Sequence, residues 1–585
     1  MAQPAPIQSL DSLVGMDAKM QAIAKLELLQ EEVDSVLARK KSNGFLRRAI
    51  KAWRRGDIVR AGQLALESTG SDETNSKAYH VLGMALERMG HLHKAIVTYQ
   101  RAFELDPEDP ELLINLGLIA WNMKQIDGAA KMFSLYIDAC PDSPLGYNNL
   151  GSILCDMGRP EDAVETLRTA IFRMPQEPIL WNALATVLAE EGRAEESLVF
   201  YNESVRLDPK FARLHHNLGY AYAHLGMLEQ SFQAYETALA HVKDPAEKIE
   251  TEHSRAICLI GMGRLEEGFR DFEVRNNPRF RAFTNHLIKA PQWKGEELSG
   301  KRLAVVGEQG LGDEFMFANI LPDLARLIGD EGLLQIAVDP RLVPLFQRSF
   351  PNAEVGTYDD RTLIDPDGNK PLRFVKFITD KQEPDYWVPM GSALQYLRKD
   401  IKDFPHETFI LPDQGRVDKF RTDLKAKGPG PTVGICWRSM MLAAKRAKYY
   451  SALDMWAPIL KTPGVTFVNL QYGDAAAEIA HVRETFGIEI HVLDVDLKDD
   501  IDGAAALSAA VDLAISAPTA AAANAAAVGT EVWFLTAGRT WPQLGTDEYP
   551  WYRKTHVYSP ERFGDWASLI PQVAGELAAF VKSKA

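Results

Sequence analysis

The chain of 585 residues contains 46% apolar and 25% charged residues, and its formal net charge at pH 7 is −15. This composition is typical of folded globular domains and excludes a disordered chain, and the length predicts several domains. The negative charge argues against a general nucleic-acid binder, because phosphate contacts need clustered Lys and Arg. The longest apolar run, around Ala504 to Ala527, is interrupted by Asp512 and Pro518, so we predict no membrane-spanning helix.

We expect a cytoplasmic protein, because Met1 to Gln8 shows no basic segment followed by an apolar block. The cysteines are widely spaced and form no Cys-x-x-Cys pair: Cys140, Cys155, Cys258 and Cys436. Buried reduced thiols are therefore favoured over disulfides or a metal site.

Residues 1–41 form the first predicted segment. From Leu10 to Lys41 the chain lacks proline and mixes apolar with charged positions, which is a helical pattern. This helix could make a short coiled coil, or it could cover the first apolar face of the repeats that follow. Capping is the favoured alternative, because terminal repeats must hide an apolar face.

Glycines and prolines recur at regular intervals over residues 42–283. Glycines recur at intervals of 34 residues or twice that, with Lys124 in the one empty position: Gly56, Gly90, Gly158, Gly192 and Gly226. Prolines keep the same period: Pro107, Pro141, Pro175 and Pro209. This period is the signature of tetratricopeptide (TPR) repeats, helix pairs that stack into a solenoid.

The sequence therefore predicts a TPR solenoid of about seven repeats over residues 42–283. The predicted repeats begin at Ser42, Ser76, Pro110, Pro144, Pro178 and Ala212, with the last displaced to near Ile249. The displacement falls at Asp244-Pro245, a helix-breaking pair.

Polar side chains recur at two neighbouring positions of the first helix of the repeats. They are Asn115, Asn149 and Asn217 at one position, and Asn148, Asn182 and His216 at the other. Asn is a poor residue for a helix interior, so its recurrence needs a reason. The amides could hold the backbone of an extended protein segment in the concave groove, or they could bridge adjacent repeats. This ladder resembles the groove of eukaryotic O-GlcNAc transferase, which holds protein substrates along its TPR superhelix.

The pattern changes at Pro291, where short β-branched runs begin to alternate with helical stretches. Such alternation predicts parallel sheets covered by helices on both faces. A stretch rich in Lys, Gly and Pro, Lys425 to Pro431, separates two groups of strands. We predict a domain over 291–585 with two Rossmann-like halves, 300–412 and 431–557, a cleft between them, and a C-terminal helix over 560–583.

A glycine-rich turn follows the first predicted strand of this domain, in the sequence from Val306 to Glu314. Gly310 and Gly312 let the backbone approach a ligand, and the start of the helix that follows favours negative charge. Asp313 lies where ligands of open α/β sheets bind, so it is the candidate base for an acceptor hydroxyl. The alternative is that Asp313 only caps the helix.

Further candidates follow strands of the second half. Arg438, with Lys445, Arg446 and Lys448 nearby, could neutralise a phosphate or diphosphate leaving group in place of a metal, although a solvated basic loop is the alternative for these lysines. The remaining candidates for donor and phosphate binding are Gln471, Tyr472, Ser516, Thr519 and Asn524. Thr519 begins an alanine-rich helix, where a hydroxyl and backbone amides converge on an anion.

Five segments together resemble the C-terminal domain of bacterial TPR-containing glycosyltransferase-like proteins. They are Gly307 to Asp313, Trp437-Arg438-Ser439, Leu470 to Gly473, Ser516 to Thr519, and Pro550-Trp551-Tyr552. Some members, in flagellated alphaproteobacteria, modify flagellins. The resemblance implies a GT-B fold after the TPR solenoid and transfer of a sugar from a nucleotide-sugar to Ser or Thr of a protein acceptor, with flagellin the expected one. No Asp-x-Asp stands in a plausible active-site loop, so we expect no metal and no resident cofactor. A base such as Asp313 with a cationic leaving-group site such as Arg438 predicts inversion at the sugar.

A more distant similarity is to heptosyltransferases, in which the aspartate matching Asp313 is the acceptor base. Those relatives carry Asp-Thr and a His four residues later at the second anion-binding helix, whereas this chain has Pro518-Thr519 and Ala523. The alternative function is therefore a non-catalytic TPR scaffold, chaperone or regulator in flagellum assembly, with a degenerate glycosyltransferase domain.

Overall fold

The computed structural model describes residues 18–308, 310–365, 368–375, 377–378, 383–440 and 448–584. Its residues group into two compact units. The first is Met1–Ile153 with the short segment Ile364–Asn369, and the second is Leu154–Leu363 with Lys370–Ala585. Within the described residues, no helix is both long and apolar enough to cross a membrane.

Helix pairs with the predicted period form the first unit. The helices that begin there are α1 (Ala18–Arg54), α2 (Ile58–Ser71), α3 (Ser76–Arg88), α4 (Leu92–Leu105), α5 (Pro110–Asn122), α6 (Ile126–Ala139) and α7 (Pro144–Asp156). The turns inside the pairs adopt the left-handed conformation that glycine accepts readily, with φ 78° at Gly56 and 76° at Gly90. Lys124 adopts it too, with φ 62°, at a cost on the order of 1 kcal/mol. The TPR prediction is confirmed.

The first helix differs from the prediction at residue 41. Because α1 runs unbroken from Ala18 to Arg54, the expected start of a repeat at Ser42 lies inside it. From Ser42 onward α1 packs on α2, and the buried Ser42 and Ser68 hydroxyls lie 2.9 Å apart. The preceding part does not serve as the expected cap, since none of its described side chains between Met20 and Lys41 is buried.

The second unit begins with further helix pairs: α8 (Pro160–Arg173), α9 (Pro178–Glu190), α10 (Ala194–Leu207), α11 (Ala212–His224), α12 (Leu228–His241), α13 (Pro245–Gly261) and α14 (Leu265–Phe272). The last repeat begins at Pro245 rather than near Ile249. Asp244 caps this helix by accepting from the N–H groups of Ala246 and Glu247, both at 2.9 Å, and proline suits the first helical position.

Two sheets built mainly of parallel strand pairs come after the helix pairs. Their strands are β1 (Asn285–Leu287), β2 (Arg302–Val306), β3 (Leu333–Val338), β4 (Glu354–Asp365), β5 (Gly368–Val375), β6 (Tyr386–Pro389), β7 (Thr432–Cys436), β8 (Thr466–Asn469), β9 (Ile490–His491), β10 (Leu513–Ser516), β11 (Val532–Leu535) and β12 (Thr555–Tyr558). The first sheet has the order β1-β5-β4-β3-β2-β6 and the second β12-β11-β10-β7-β8-β9. The first sheet thus begins with β1, before the predicted start at residue 300. The sequence analysis missed β1 because three residues are too few to show a strand pattern.

Helices cover both sheets. Their bounds are Leu311–Phe317, Leu321–Ile328, Val343–Ser349, Leu394–Leu397, Gln414–Lys425, Ala457–Leu460, Ala476–Phe486, Ile501–Ala510, Ala520–Ala527 and Trp566–Lys584. In the second sheet the chain winds outward in both directions from the adjacent strands β7 and β10, which pair in parallel. Ligands of open α/β sheets bind at such a reversal, outside the carboxyl ends of the strands.

A single hydrophobic core joins the end of the solenoid to both sheets. It includes Phe269 and Phe272 of α14, Leu303 of β2, and Trp551 near the end of the chain. Polar contacts cross between the sheets as well, since the Asn319 amide donates to the Trp551 carbonyl at 2.8 Å. The last repeats and the two sheets are therefore packed as one body.

Small residues let the paired helices of a repeat approach closely, and Gly117 tests this. An added Cβ at Gly117 would lie 2.4 Å from the ring of the buried Phe133, so we expect Gly117→Ala to lower the free energy of unfolding by about 1–3 kcal/mol. Gly44→Ala, in α1, is the matched control. No described atom lies within 4 Å of its added Cβ, so it should stabilise by roughly 1 kcal/mol or less. Urea unfolding measures both, and equal shifts would contradict the packing argument.

Candidate functional site

The glycine-rich turn after β2 lies beside the alanine-rich helix Ala520–Ala527. Gly310 is the residue before the helix Leu311–Phe317. A Cβ on Gly312 would lie 3.6 Å from Cα of Ala520, directly after Thr519. The structure therefore brings Gly310, Gly312 and Thr519 together, although they come from different sheets.

Asp313 stands in the first turn of the helix that follows these glycines. Burial raises the pKa of its carboxyl from 3.8 to about 6. A hydrogen bond with the Gly310 backbone opposes the shift, and the charge of Glu308 adds to it. Asp313 also contributes to raising the pKa of the buried Tyr552 hydroxyl. A carboxyl with a pKa near neutrality is suited to accept a proton during a reaction.

Glu314 is a second carboxyl that the sequence analysis did not single out. Its side chain is fully buried against Gly307, and burial raises its pKa to about 7. It accepts hydrogen bonds from the Tyr358 hydroxyl at 2.5 Å and from the Asp339 N–H at 3.1 Å. The adjacent Asp313-Glu314 pair was the available signal in the sequence, but only the fold shows which carboxyl is enclosed.

Arg438 follows β7 as predicted, but its charge already has a partner. Its Nε donates to the Glu478 carboxylate at 3.0 and 3.1 Å, and its Nη2 donates to the same carboxylate and to the Asp474 carbonyl, the latter at 3.0 Å. The Trp437 indole N–H donates to Glu478 as well, at 2.9 Å. A phosphate at this place would have to share Arg438 with Glu478.

Gln471 holds the loop after β7 in place. Its amide oxygen accepts from the backbone N–H groups of Trp437 at 3.2 Å and Arg438 at 3.0 Å, and its Nε2 donates to the Tyr472 carbonyl at 3.0 Å. With only 1% of its surface exposed, Gln471 positions protein backbone instead of presenting its amide to a base or ribose. The half-buried Tyr472 hydroxyl lies 3.5 Å from the Ser439 hydroxyl.

The carboxyl ends of β7 and β10 meet at Thr519. Its hydroxyl lies 3.5 Å from the Cys436 thiol and makes no capping bond to its own helix within the described chain. Ser516 is buried and donates to the Ala517 carbonyl at 2.7 Å. Asn524 is also buried, and its side-chain oxygen has no hydrogen-bond partner among the described residues. Thr519 is thus the predicted phosphate-binding residue whose hydroxyl is least engaged.

The basic stretch after Arg438 lies only partly in the described structure. Lys445 and Arg446 lie outside the described residues. Lys448 contacts the solenoid, since its ammonium lies 3.3 Å from the Ala189 carbonyl and 6.0 Å from the centre of the Tyr220 ring. The end of this loop is therefore attached to the repeats.

A cavity of about 390 Å³ lies between the last repeats and the second sheet, and the sequence analysis missed it. Its walls come from α11 and α13, from Tyr449 and Phe563, and from the loop after β11. The cavity reaches Pro518, which directly precedes Thr519. Its only signal in the sequence was a set of aromatic side chains, Tyr220 and His224 among them, near the end of the solenoid.

A chain of hydrogen bonds crosses one wall of this cavity. His224 Nδ1 donates to the Tyr220 carbonyl at 2.9 Å, so Nε2 accepts from the Tyr449 hydroxyl at 2.7 Å. The Tyr449 hydroxyl lies 3.0 Å from that of Tyr220. Burial lowers the pKa of His224 to about 4, so the imidazole is neutral at pH 7. These contacts attach the loop that begins at Arg438 to α11.

The predicted groove residues of the first unit make hydrogen bonds within that unit. Asn115 Nδ2 donates to Nε2 of His80, one repeat earlier, at 2.7 Å. Asn148 Nδ2 donates to the Asn149 side-chain oxygen at 3.2 Å. The buried Asn149 Nδ2 has no partner in the part of the chain that the structure describes.

In the second unit the same positions bridge successive repeats. Asn217 Nδ2 donates to Oδ1 of Asn182 at 3.1 Å and to Oγ1 of Thr186 at 3.2 Å. His216 Nδ1 lies 3.0 Å from the Thr251 hydroxyl, and burial lowers its pKa to about 4. Bridging between repeats is therefore one role of these side chains. Asn217 and His216 remain half-exposed, so they can also meet a ligand.

Comparison with known proteins identifies repeats and a family. Family models described as tetratricopeptide repeat and TPR repeat match residues 76–119 and 185–226. Over 572 residues the chain is 38% identical to Protein FlbA of Caulobacter vibrioides, an alignment that covers 97% of this chain and 95% of that protein. The chain belongs to the FlbA family.

Two similar solved structures each match a part of this FlbA-family chain. A tetratricopeptide repeat protein from Parabacteroides merdae matches with a TM-score of 0.36 and 14% identity, covering 40% of this chain and 91% of that one. YrrB, a TPR protein with an unusual peptide-binding site, matches with a TM-score of 0.24 and 20% identity, covering 32% of this chain and 97% of that one.

The raised pKa of Asp313 has a consequence for stability. Between pH 4 and pH 6 the folded chain holds a proton at this carboxyl that the unfolded chain has lost, so stability falls as the pH rises through this range. At pH 7.5 the cost is fully present, and Asp313→Asn should raise the free energy of unfolding by roughly 1–3 kcal/mol, a gain that shrinks toward pH 4.

Urea unfolding at several pH values measures this effect. Asp330→Asn is the matched control, because Asp330 is exposed on a turn near β3. A gain for Asp313→Asn that did not change with pH would show that the carboxyl is not the cause.

Proposed function

We propose that this protein is a glycosyltransferase that transfers a sugar from a nucleotide-sugar to a Ser or Thr hydroxyl of a protein acceptor. The observation that carries the proposal is Asp313, a carboxyl with a pKa of about 6 at the carboxyl end of β2. It lies in the turn that touches the start of the helix Ala520–Ala527 in the other sheet. A base and a place for an anion therefore stand side by side.

The two sheets support a GT-B arrangement. The second sheet winds outward from β7 and β10, the strand order of doubly wound nucleotide-binding folds, and Thr519 stands at the reversal. We place the nucleotide diphosphate or phosphate there, near the Thr519 hydroxyl and the first N–H groups of the alanine-rich helix. The small alanines let this helix and the Gly310–Gly312 turn approach each other.

In the proposed reaction Asp313 takes the proton of the acceptor hydroxyl while that oxygen bonds to the anomeric carbon. The bond from this carbon to the phosphate oxygen breaks, its electron pair stays on the leaving nucleotide, and the configuration inverts. The backbone amides and Thr519 stabilise the new negative charge on the phosphate. Arg438 adds less than a free arginine would, because its guanidinium is already paired with Glu478. This scheme needs no divalent metal.

The solenoid is the proposed acceptor-binding part, and we propose flagellin as the acceptor. The TPR repeats support a protein partner, and flagellin follows from the resemblance to flagellin-modifying relatives. The cavity beside α11 and α13 supports a path for the acceptor from the repeats to Thr519. It opens between the last repeats and the carboxyl ends of β10 and β11. An acceptor segment that follows the repeats would arrive next to Thr519.

A second candidate function is a non-catalytic protein-binding scaffold in flagellum assembly. The observation that favours it is the pairing of Arg438 with Glu478, which takes up the cation expected to face the leaving group. The absence of a histidine at Ala523 points the same way. The raised pKa of Asp313 favours catalysis instead, because a carboxyl that only caps a helix does not need a pKa near neutrality.

Loss of the base distinguishes these functions. In cells that carry Asp313→Asn, we expect the glycan mass on flagellin to disappear, because removing a general base slows transfer by about 10²–10⁴-fold. Intact-mass spectrometry of flagellin measures this, and Asp330→Asn should leave the mass unchanged. Full modification with Asp313→Asn would exclude the catalytic role and favour the scaffold.

The groove can be tested through Asn217. We expect Asn217→Ala to weaken binding of purified flagellin by about 3–10-fold, because a lost amide hydrogen bond is worth about 0.5–1.5 kcal/mol. Asn202→Ala, on the exposed face of α10, is the matched control and should bind as tightly as the wild type. Isothermal titration calorimetry measures affinity and thermal unfolding checks the fold. Equal affinities of the two variants would exclude Asn217 from acceptor binding.

A further inference from the structure

The cavity beside α11 and α13 continues the predicted groove of the last repeats. Two groove positions of successive repeats meet just before it, since His216 Nδ1 of α11 lies 3.0 Å from the Thr251 hydroxyl of α13. Tyr220 stands four residues after His216, Ser254 stands three residues after Thr251, and both line the cavity. With 3.6 residues per turn, each falls on the same face of its helix as the groove residue before it. The predicted groove therefore leads into the cavity.

Aromatic rings make up much of the cavity wall. The Phe563 ring lies 5.0 Å from that of His224 at an interplanar angle of 61°, and 5.7 Å from that of Tyr449 at 88°. Tyr220 and Trp541 also line the cavity. Aromatic rings prefer such edge-to-face contacts, with centroids about 4.5–7 Å apart. One more ring inside the cavity would extend this cluster, so the wall favours an aromatic guest.

The lining of the cavity carries little charge. Among the described residues that line it there is no Asp or Glu, and burial lowers the pKa of both His224 and His253 to about 4, so both imidazoles are neutral at pH 7. The one cation in this described lining is Arg539, whose Nη2 donates to Asp547 at 2.8 Å. A nucleotide diphosphate would have to compete with Asp547 for this guanidinium. The cavity therefore suits an uncharged group and not the sugar donor.

A cationic guest is disfavoured as well. The Lys448 ammonium lies 6.0 Å from the centre of the Tyr220 ring and 5.6 Å from the centre of the Tyr449 ring. The faces of such rings attract cations, and Lys448 already supplies one to both. A second cation beside these rings would meet like charge.

We propose that this cavity receives an aromatic side chain of the acceptor protein. The inference rests on the proposed role of the solenoid in acceptor binding. The cavity volume of about 390 Å³ is near the lower end of the range of about 300–1,000 Å³ for small-ligand sites, so it suits a side chain better than a folded element. A protein segment that follows the groove delivers such a side chain directly.

The position of the cavity gives the bound side chain a role in selecting the modified hydroxyl. The cavity reaches Pro518, which directly precedes Thr519. Residues of the acceptor next to the anchored side chain therefore stand near the proposed leaving-group site. An aromatic anchor in the cavity fixes which Ser or Thr of the acceptor is presented for transfer.

Binding of N-acetyl-phenylalanine amide to the full chain tests the cavity without any acceptor protein. We expect saturation-transfer NMR signals for this amide and only background for N-acetyl-lysine amide. Ala223→Phe fills the cavity from α11 and Ser254→Phe fills it from α13, so each should abolish the signal. Ala240→Phe, at an exposed position of α12, is the matched control and should keep it.

Thermal unfolding verifies that each variant folds, and either filled variant is sufficient for the test. A wild type that gives no signal with N-acetyl-phenylalanine amide would overturn the proposal. So would a full signal with a folded Ala223→Phe or Ser254→Phe variant.

Purified flagellin tests whether the anchored side chain belongs to the acceptor. Ala223→Phe should raise the dissociation constant for flagellin by about 10–100-fold, the effect expected when one large apolar side chain is no longer buried, and Ala240→Phe should leave it unchanged. Isothermal titration calorimetry measures both. Equal binding by the wild type and Ala223→Phe would exclude the acceptor from the cavity. Flagellin that bound no form of the chain would contradict the proposed acceptor instead, while the amide still decides whether the cavity takes an aromatic group.

Discussion

A buried ion pair between Arg275 and Glu308 fixes the glycine-rich turn to the end of the solenoid. Arg275 follows α14 and donates to Glu308, the second residue after β2, at 2.8 and 3.2 Å. Glu308 also accepts from the Gly391 N–H at 2.5 Å, after β6. Both charges are nearly excluded from water. Arg275 also pairs with Glu273 at 2.7 Å, so it is removal of Arg275 that would leave the buried Glu308 carboxylate uncompensated, a cost of several kcal/mol. The last repeat and the turn that carries Asp313 therefore move together.

The same turn is constrained from the other side by small residues. Gly312 lies beside the backbone of Ala520, where an added Cβ would stand in ordinary van der Waals contact, 3.6 Å from Cα of Ala520. Burial raises the pKa of the neighbouring Asp313 carboxyl, which makes it a better base near neutral pH.

Local signals made the repeats predictable from the sequence. A turn needs a left-handed residue and a helix needs a start signal, so Gly90, Lys124 and Pro110 could be assigned without any knowledge of tertiary structure. The strand ends that carry Asp313, Arg438 and Thr519 were predictable for the same reason. What these side chains contact was not, because Glu478 reaches Arg438 from a helix forty residues further along the chain.

Residues assigned to ligand binding from the sequence include some that the fold uses internally. Gln471 follows a strand as ligand-binding residues do, yet its amide is needed by the backbone of the neighbouring strand end. The cavity beside Tyr449 was unpredictable, since its walls come from the solenoid, the loop after β7 and the loop after β11. Only the packing of the last repeats on the second sheet brings them together.

The attachment of Tyr449 to Tyr220 and His224 bears on how such a protein can be recombined. The repeats from Leu154 onward belong to the same compact unit as the sheets, whereas most residues before them do not. A chimera joined at the end of the last repeat would cut through the Tyr449 contacts and the Arg275–Glu308 pair. One joined at residues 140–143, between α6 and α7, would keep both, so the repeats before α7 can be exchanged without disturbing these contacts.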